Sequence, residues 1–292
     1  MSVLLFFIDG LGLGPDAPET NPVARARLAR LHLVAGRAPT DPSAHLASTD
    51  ACLGLPGLPQ SATGQTTILS GINAAAAVGR HMSGFCRPPL AALLDGASLF
   101  SRVRAAGGRT TFANAYTPEY LKHPPRFLSV TTVAVGQAGL PYRTLEDLAR
   151  GDAVYHDLTG RMLRERGHDV PLLAPEEAGR RLARLAEAHD FSMYEYFLTD
   201  MAGHARDMAW ATELLEGLES ALEALLGALD LSQHLVVLAS DHGNAEDLSH
   251  DAHTRNPVPT CCWGRGAAEV TRAVRGLEDI APAILRQVDM VC

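Results

Sequence analysis

Residues 236–259, VVLASDHGNAEDLSHDAHTRNPVP, constrain this chain most. The apolar run from Leu235 to Leu238 has the length and content of a buried strand. It stops at a tight polar turn, Ser240-Asp241-His242-Gly243-Asn244. A carboxylate and an imidazole side by side where a buried strand ends form half of a metal site. In an open α/β sheet such strand ends share the edge where ligands bind. His253 follows in a loop broken by Pro257 and Pro259.

Two other runs repeat the pattern. Residues 3–8 are continuously apolar, as in a strand buried on both faces, and end at Asp9-Gly10-Leu11-Gly12. Residues 191–199 read as a strand closed by Asp200, with His204 four residues on. In a parallel sheet these three ends converge. Three carboxylates in one crevice repel one another, and divalent cations remove that penalty. The donors are Asp and His without Cys, which suits Mn²⁺ or Zn²⁺.

Between the strands lie helical patterns at residues 21–34, 99–106, 175–189 and 207–229, with a last helix near 279–288. Residues 109–116 and 259–263 read as further strands. The alternation predicts an α/β fold, a mostly parallel central sheet with helices on both faces. The core is expected in residues 1–116 and 175–292. Residues 117–174, rich in proline and with a β-like run at 129–135, are expected to form a small lid or insert.

Ser61 opens a helical stretch, Ser61-Ala62-Thr63-Gly64-Gln65-Thr66, after a loop of prolines and glycines. It is suited to be an N-cap, or a nucleophile in the field of the helix N-terminus. Thr63 and Thr66 are neighbouring hydroxyls. Arg80 and His81, between glycines, are either anion contacts or loop surface.

Composition excludes several classes. The 292 residues are 47% hydrophobic, enough for a large core, and carry a net charge of −8. Nothing there suggests a nucleic-acid binder or a basic membrane surface. The apolar N-terminus lacks a basic flank and reaches Asp9 too soon for a signal peptide. Five cysteines, Cys52, Cys86, Cys261, Cys262 and Cys292, show no C-x-x-C spacing, so reduced thiols in a cytoplasm are expected.

The Asp9-Gly loop, the Ser61-Ala-Thr-Gly loop, the Asp200-x-x-Gly-His204 pair, the Asp241-His242-Gly-Asn turn and the Asp251-x-His253-Thr-Arg255 loop together resemble the alkaline phosphatase superfamily. The nearest likeness is to its metalloenzyme branch, cofactor-independent phosphoglycerate mutase and phosphopentomutase. The resemblance covers the first 80 or so residues and roughly the last 100. It implies two divalent ions, Mn²⁺ or Zn²⁺. Asp9, Ser61, Asp241 and His242 would hold one, and Asp200, His204 and His253 the other. It makes Ser61 the nucleophile and Arg80, His81 and Arg255 phosphate contacts. Both mutases carry a large cap domain between core strands, and here only residues 117–174 are free for that role. A reduced cap favours water as the second acceptor.

The expected function is phosphoryl transfer through a phosphoserine, as a phosphatase acting on a small phosphorylated molecule. A phosphomutase and a phosphodiesterase are the alternatives, and a non-catalytic metal-binding protein is a third class. A sulfatase is disfavoured, because no Cys or Ser sits in a C/S-x-P-x-R setting.

Overall fold

The computed structural model describes residues 2–288, so Cys292 lies outside the described residues. Among the described residues there are eight strands: β1 Ser2–Ile8, β2 His45–Thr49, β3 Thr110–Phe112, β4 Ala115–Tyr116, β5 Arg143–Thr144, β6 Phe191–Tyr196, β7 His234–Ala239 and β8 Val258–Gly264. Six form one sheet in the order β2-β8-β7-β1-β6-β3, and β4 pairs with β5 in a ribbon. β7, β1, β6 and β3 are mutually parallel, whereas β8 runs antiparallel to both β7 and β2. The sheet is therefore mostly parallel, as expected, with one reversed strand near an edge.

β1 lies at the centre and is buried along its whole length. Its side chains alternate between two layers, as a pleat requires. Val3, Leu5 and Phe7 pack under the helices Ser61–Ser70 and Ile280–Leu285. Leu4, Phe6 and Ile8 pack under the helices Pro175–Ala188 and Met208–Ala228. A strand covered on both faces has no polar face to alternate, so its sequence is an unbroken apolar run. Cys261 and Cys262 sit in β8 and are buried, as the apolar setting predicts. Cys52, Cys86, Cys261 and Cys262 are free thiols. Among the described residues no helix is long and apolar enough to cross a membrane.

Four expectations need correction. Only Pro22–Arg25 is helical within residues 21–34. Beyond it, the buried Glu219 carboxylate accepts the amides of Arg30 and Leu31 at 2.9–3.1 Å, giving this backbone partners that a helix would otherwise supply. Residues 129–135 are not β-like. Ser129 caps a helix at Val130–Gln137, and Val130, Ala134 and Val135 pack into the core beneath the sheet. Residues 109–116 split into β3 and β4, because the Asn114 side chain binds the Glu195 backbone through both its amide groups. β6 ends at Tyr196, so Asp200 stands not at a strand end but in the first turn of the helix Leu198–Ala205.

Candidate metal centre

Asp241 and Asp9 follow the adjacent strands β7 and β1, and Asp200 follows the next strand, β6, in the helix after it. Asp9 is the first residue after β1, and its amide bonds the Tyr196 carbonyl at 2.8 Å. Asp241 follows β7 by two residues and is fully buried. Asp200 enters from the Leu198–Ala205 helix, which places His204 on the same helical face one turn later. His253 is folded back by a bridge between Gly243 and Thr254, the Thr254 amide bonding Gly243 O at 2.9 Å.

These side chains meet in two groups. In the first, His242 Nε2 lies 3.2 Å from Asp9 Oδ1, 3.7 Å from Asp241 Oδ2 and 2.9 Å from Ser61 Oγ. In the second, Asp200, His204 and His253 offer atoms that all lie within 4.8 Å of one another. Asp200 is close enough to Asp9 and His242 to join the first group as well. The His242 and His253 rings stack at 3.7 Å, so the two groups adjoin. A cavity of about 480 Å³ opens in front, with Ser61, Asp200, His204 and His253 on its wall. A larger cavity of about 550 Å³ near Met162 and Trp210 contains none of these residues.

Whether this donor set fits cations is decided by the second group. His204 Nδ1 lies 2.7 Å from Asp251 O and His253 Nδ1 2.7 Å from Pro59 O. Carbonyl oxygens only accept, so both Nδ1 atoms carry the proton. Both Nε2 atoms then present lone pairs, and they face each other at 3.2 Å. Asp200 adds carboxylate oxygens 3.4 Å from His204 Nε2 and 3.6 Å from His253 Nε2. Lone pairs and negative charge aimed at one point fit a divalent cation. A ring whose far nitrogen is fixed by a backbone carbonyl is the usual orientation of a metal-ligating histidine.

The electrostatics of the first group agree. Burial pushes the Asp241 carboxyl well above its usual range, and the Asp9 charge adds to it. Burial likewise raises Asp9, partly offset by His242. Burial works against a charge on His242, but Asp241, Asp9 and Asp200 outweigh it and push it up to about 10. His253 is pushed down to about 4 by burial and then by the neighbouring His242 charge. An Asp9 oxygen is buried with no hydrogen-bond partner. Too many buried carboxylates for the protein's own cations is the condition a bound metal relieves.

Ser61 does not cap its helix. Gln60 is the N-cap residue, Ser61 is the first residue of the Ser61–Ser70 helix, and its Oγ is bonded to His242. Thr63 Oγ1 donates to Gln60 O at 3.1 Å and Thr66 Oγ1 to Ala62 O at 2.7 Å, and both residues are fully buried. Of the three hydroxyls, only Ser61 faces the metal groups.

Arg80, His81 and Arg255 stand at the rim rather than in the centre. The Arg255 guanidinium donates to Gly57 O, and His81 packs beside Gly57. Arg80 and His81 line a second cavity, which shares Ser83 with the first.

Four polar residues that sequence reading missed hold the site together. Gln65 lies one helical turn after Ser61 and donates to Asp9 Oδ2 at 3.1 Å and Asp241 Oδ2 at 3.3 Å. Its i+4 spacing from Ser61 was the available signal. Glu246 is fully buried and accepts the amides of Gly12 and Asn244 at 2.8 and 2.7 Å, together with the Thr254 hydroxyl. It ties the Asp9 loop to the His253 loop. Asn244 donates to Asp200 Oδ1 at 2.7 Å. Glu195, at the end of β6, is raised to about 7 by burial, with the Asp9 charge adding, and accepts from Thr131 at 2.6 Å.

Close packing makes one glycine testable. A Cβ on Gly64 would meet Asp241 Cβ at 2.8 Å and Asp241 O at 2.9 Å. Gly64→Ala should push the helix off the turn, cost about 1–3 kcal/mol of stability and weaken metal loading. Thermal melts with and without Mn²⁺ check this. A variant that melts like wild type and gains as much from Mn²⁺ would contradict the contact.

Residues 173–291 match the metalloenzyme superfamily profile. The 2,3-bisphosphoglycerate-independent phosphoglycerate mutase of Ruegeria pomeroyi is 32% identical over 119 residues, 38% of this chain and 23% of the relative. That of Roseobacter denitrificans is 30% identical over 197 residues, 59% of this chain and 38% of the relative. The chain thus spans well under half the length of either. Among solved structures, a protein from Pyrococcus horikoshii superposes with a TM-score of 0.61 at 15% identity, covering 100% of this chain and 97% of the other. The alkaline phosphatase of the Antarctic bacterium TAB5 gives 0.52 at 13% identity, covering 100% and 99%. Leishmania mexicana phosphoglycerate mutase gives 0.53 at 12% identity, covering 100% and 96%. Residues 173–291 thus match the metalloenzyme superfamily, and the chain shares its fold with alkaline phosphatase and phosphoglycerate mutase.

Proposed function

We propose that this protein is a two-metal-dependent phosphoryl-transfer enzyme working through a phosphoserine at Ser61, and that it hydrolyses a small phosphate ester in the cytoplasm. The observation that carries this reading is the Ser61 hydroxyl, 2.9 Å from His242 Nε2 at the first position of a ten-residue helix. One ion would be held by Asp9, Ser61, Asp241 and His242, and the other by Asp200, His204 and His253. When bound, such ions lower the pKa of a coordinated hydroxyl and offset the charge of the transferring phosphoryl group.

The chain's own groups account for the rest. Ser61 gives up its hydroxyl proton to solvent, its Oγ attacks phosphorus, the bond to the leaving oxygen breaks, and the leaving group takes a proton from solvent. Water then attacks the phosphoserine, the bond between phosphorus and Ser61 Oγ breaks, and inorganic phosphate leaves as Ser61 regains its proton. The N-terminus of the Ser61–Ser70 helix directs its positive end at the phosphoryl oxygens. Gln65 keeps the Asp9 and Asp241 carboxylates in register, and the Pro59 and Asp251 carbonyls aim His253 and His204. Arg80, His81 and Arg255 supply positive charge or donors at the rim. Residues 117–174 act as the insert over a core of residues 1–116 and 175–292.

A phosphomutase is the second reading, favoured by the names of the relatives. Against it stands the short insert. A mutase keeps its phosphoenzyme away from water while the substrate turns, and so needs a large closing surface.

A panel of phosphomonoesters and phosphodiesters, incubated with Mn²⁺ or Zn²⁺, tests the reading. Free phosphate from monoesters is expected. Labelled phosphate moving within a substrate without release would favour the mutase, and release from diesters alone a phosphodiesterase. No transfer from any ester would remove the proposal.

A further inference from the structure

The rim beside Ser61 has a charge unlike the rest of the chain. Residues 51–145 contain two acidic residues, Asp95 and Glu119, against eight Lys and Arg, in a chain with 33 acidic and 25 basic residues. This stretch includes the nucleophile helix. Its cavity of about 350 Å³ is lined by Arg80, His81, Met82, Ser83 and Arg87, and Ser83 also lines the cavity that holds Ser61. The two spaces are neighbours.

Two guanidinium groups, Arg80 and Arg87, line it, and a third, Arg126, shares the Phe127 ring with Arg87. Arg87 Cζ lies 4.6 Å and Arg126 Cζ 5.2 Å from the centroid of the Phe127 ring. Stacking on a ring fixes a guanidinium while leaving its N–H edge free. The Cys86 amide bonds Leu128 O at 2.8 Å, which joins the Arg87 and Arg126 segments. Among the described residues no carboxylate pairs with Arg80, Arg87 or Arg126.

We propose that this cavity holds a second phosphate, so that the substrate is a small bisphosphorylated molecule. One phosphoryl group is presented to Ser61, and the other is gripped by Arg80 and Arg87, with Arg126 beside Arg87 on Phe127. The assignment rests on Ser61 being the site of phosphoryl transfer. A phosphate dianion calls for more than one cation, and paired guanidinium forks match its oxygens better than a single charge does. A neutral group would leave this cluster unpaired. A carboxylate would use only half of its charge.

The test compares alkanediol monophosphates, alkanediol bisphosphates and carboxylated phosphate esters of matched length, with the Mn²⁺-loaded enzyme. Wild type should prefer a bisphosphate over its monophosphate by at least about tenfold in kcat/KM. Arg80→Gln and Arg87→Gln should each remove most of that preference, and high salt should erode it. Equal turnover of the two esters, or a preference that survives both substitutions, overturns the second site. An equal preference for the carboxylated ester overturns the assignment to phosphate. If no ester is turned over, the Ser61 reading fails by itself. Binding then decides the subsite: tighter calorimetric binding of propylenebisphosphonate than of propylphosphonate, lost in Arg87→Gln, upholds it, and equal binding overturns it.

Discussion

Ser61→Ala should abolish turnover while leaving the fold nearly as stable as wild type. The helix does not depend on this hydroxyl for capping, since Gln60 is the N-cap residue and Ser61 Oγ bonds His242 instead. The loss of one such bond is worth about 1 kcal/mol, so the melting temperature should move by a few degrees at most. The rate should fall by about three orders of magnitude or more, because no other group is placed to form the covalent intermediate. Thr63 and Thr66 are buried, and their hydroxyls already donate to backbone carbonyls. Ser61→Thr keeps a hydroxyl and should retain part of the activity. Acid quenching during turnover, followed by mapping of the phosphorylated peptide, identifies the acceptor directly. Phosphate on Thr63 or Thr66, or an active Ser61→Ala enzyme, would remove Ser61 from the mechanism.

The groups legible in the sequence share one physical trait: they stand where a buried run meets a polar turn. Asp9 and Asp241 follow apolar strands without a gap wide enough to hide the change. Asp200 was assigned to the wrong element yet to the right edge, because the Leu198–Ala205 helix starts directly after β6 and keeps its first turn at the strand's end. Gln65, Glu246, Asn244 and Glu195 were not legible. Their partners lie far away in the chain, as with the Gly12 amide on Glu246, and an isolated polar residue carries no mark of a distant donor. Residues 129–135 read as β-like because the β-branched run from Val130 to Val133 suits a strand. The Ser129 cap and a buried apolar face outweighed that preference, and a helix formed. In residues 21–34 the helical spacing of leucines was real, but the Glu219 carboxylate took the amides that would have propagated the helix. Propensity is local, and in both places tertiary partners decided the outcome.

Loading with Mn²⁺ or Zn²⁺ should bind two ions per chain and release about one proton near pH 7 from His242. In the metal-free protein His242 is pushed up to about 10 by Asp241, Asp9 and Asp200, against the effect of burial, so it is an imidazolium at neutral pH. A ligand nitrogen must be unprotonated, and that proton has to leave. His253, pushed down to about 4, is already neutral and releases none. The signs for stability oppose each other. A raised histidine contributes stability that is complete below the unfolded value of 6.5 and is lost as pH rises through about 10. Raised carboxyls, Asp9 and Asp241, destabilise the metal-free fold as pH climbs above 3.8 through their folded values. Metal ions replace the imidazolium charge, so their stabilising effect should grow with pH. Affinity should rise about tenfold per pH unit between pH 6 and 8, and activity should fall below about pH 6. Calorimetry in buffers of different ionisation enthalpy counts the protons, and elemental analysis counts the ions. His204→Ala should bind one ion fewer with the fold intact, because its side chain is 45% exposed and lies outside the core. Binding that neither releases protons nor depends on pH would mean that His242 is not a ligand. A single ion per chain at saturation, in both wild type and His204→Ala, would remove the Asp200-His204-His253 site.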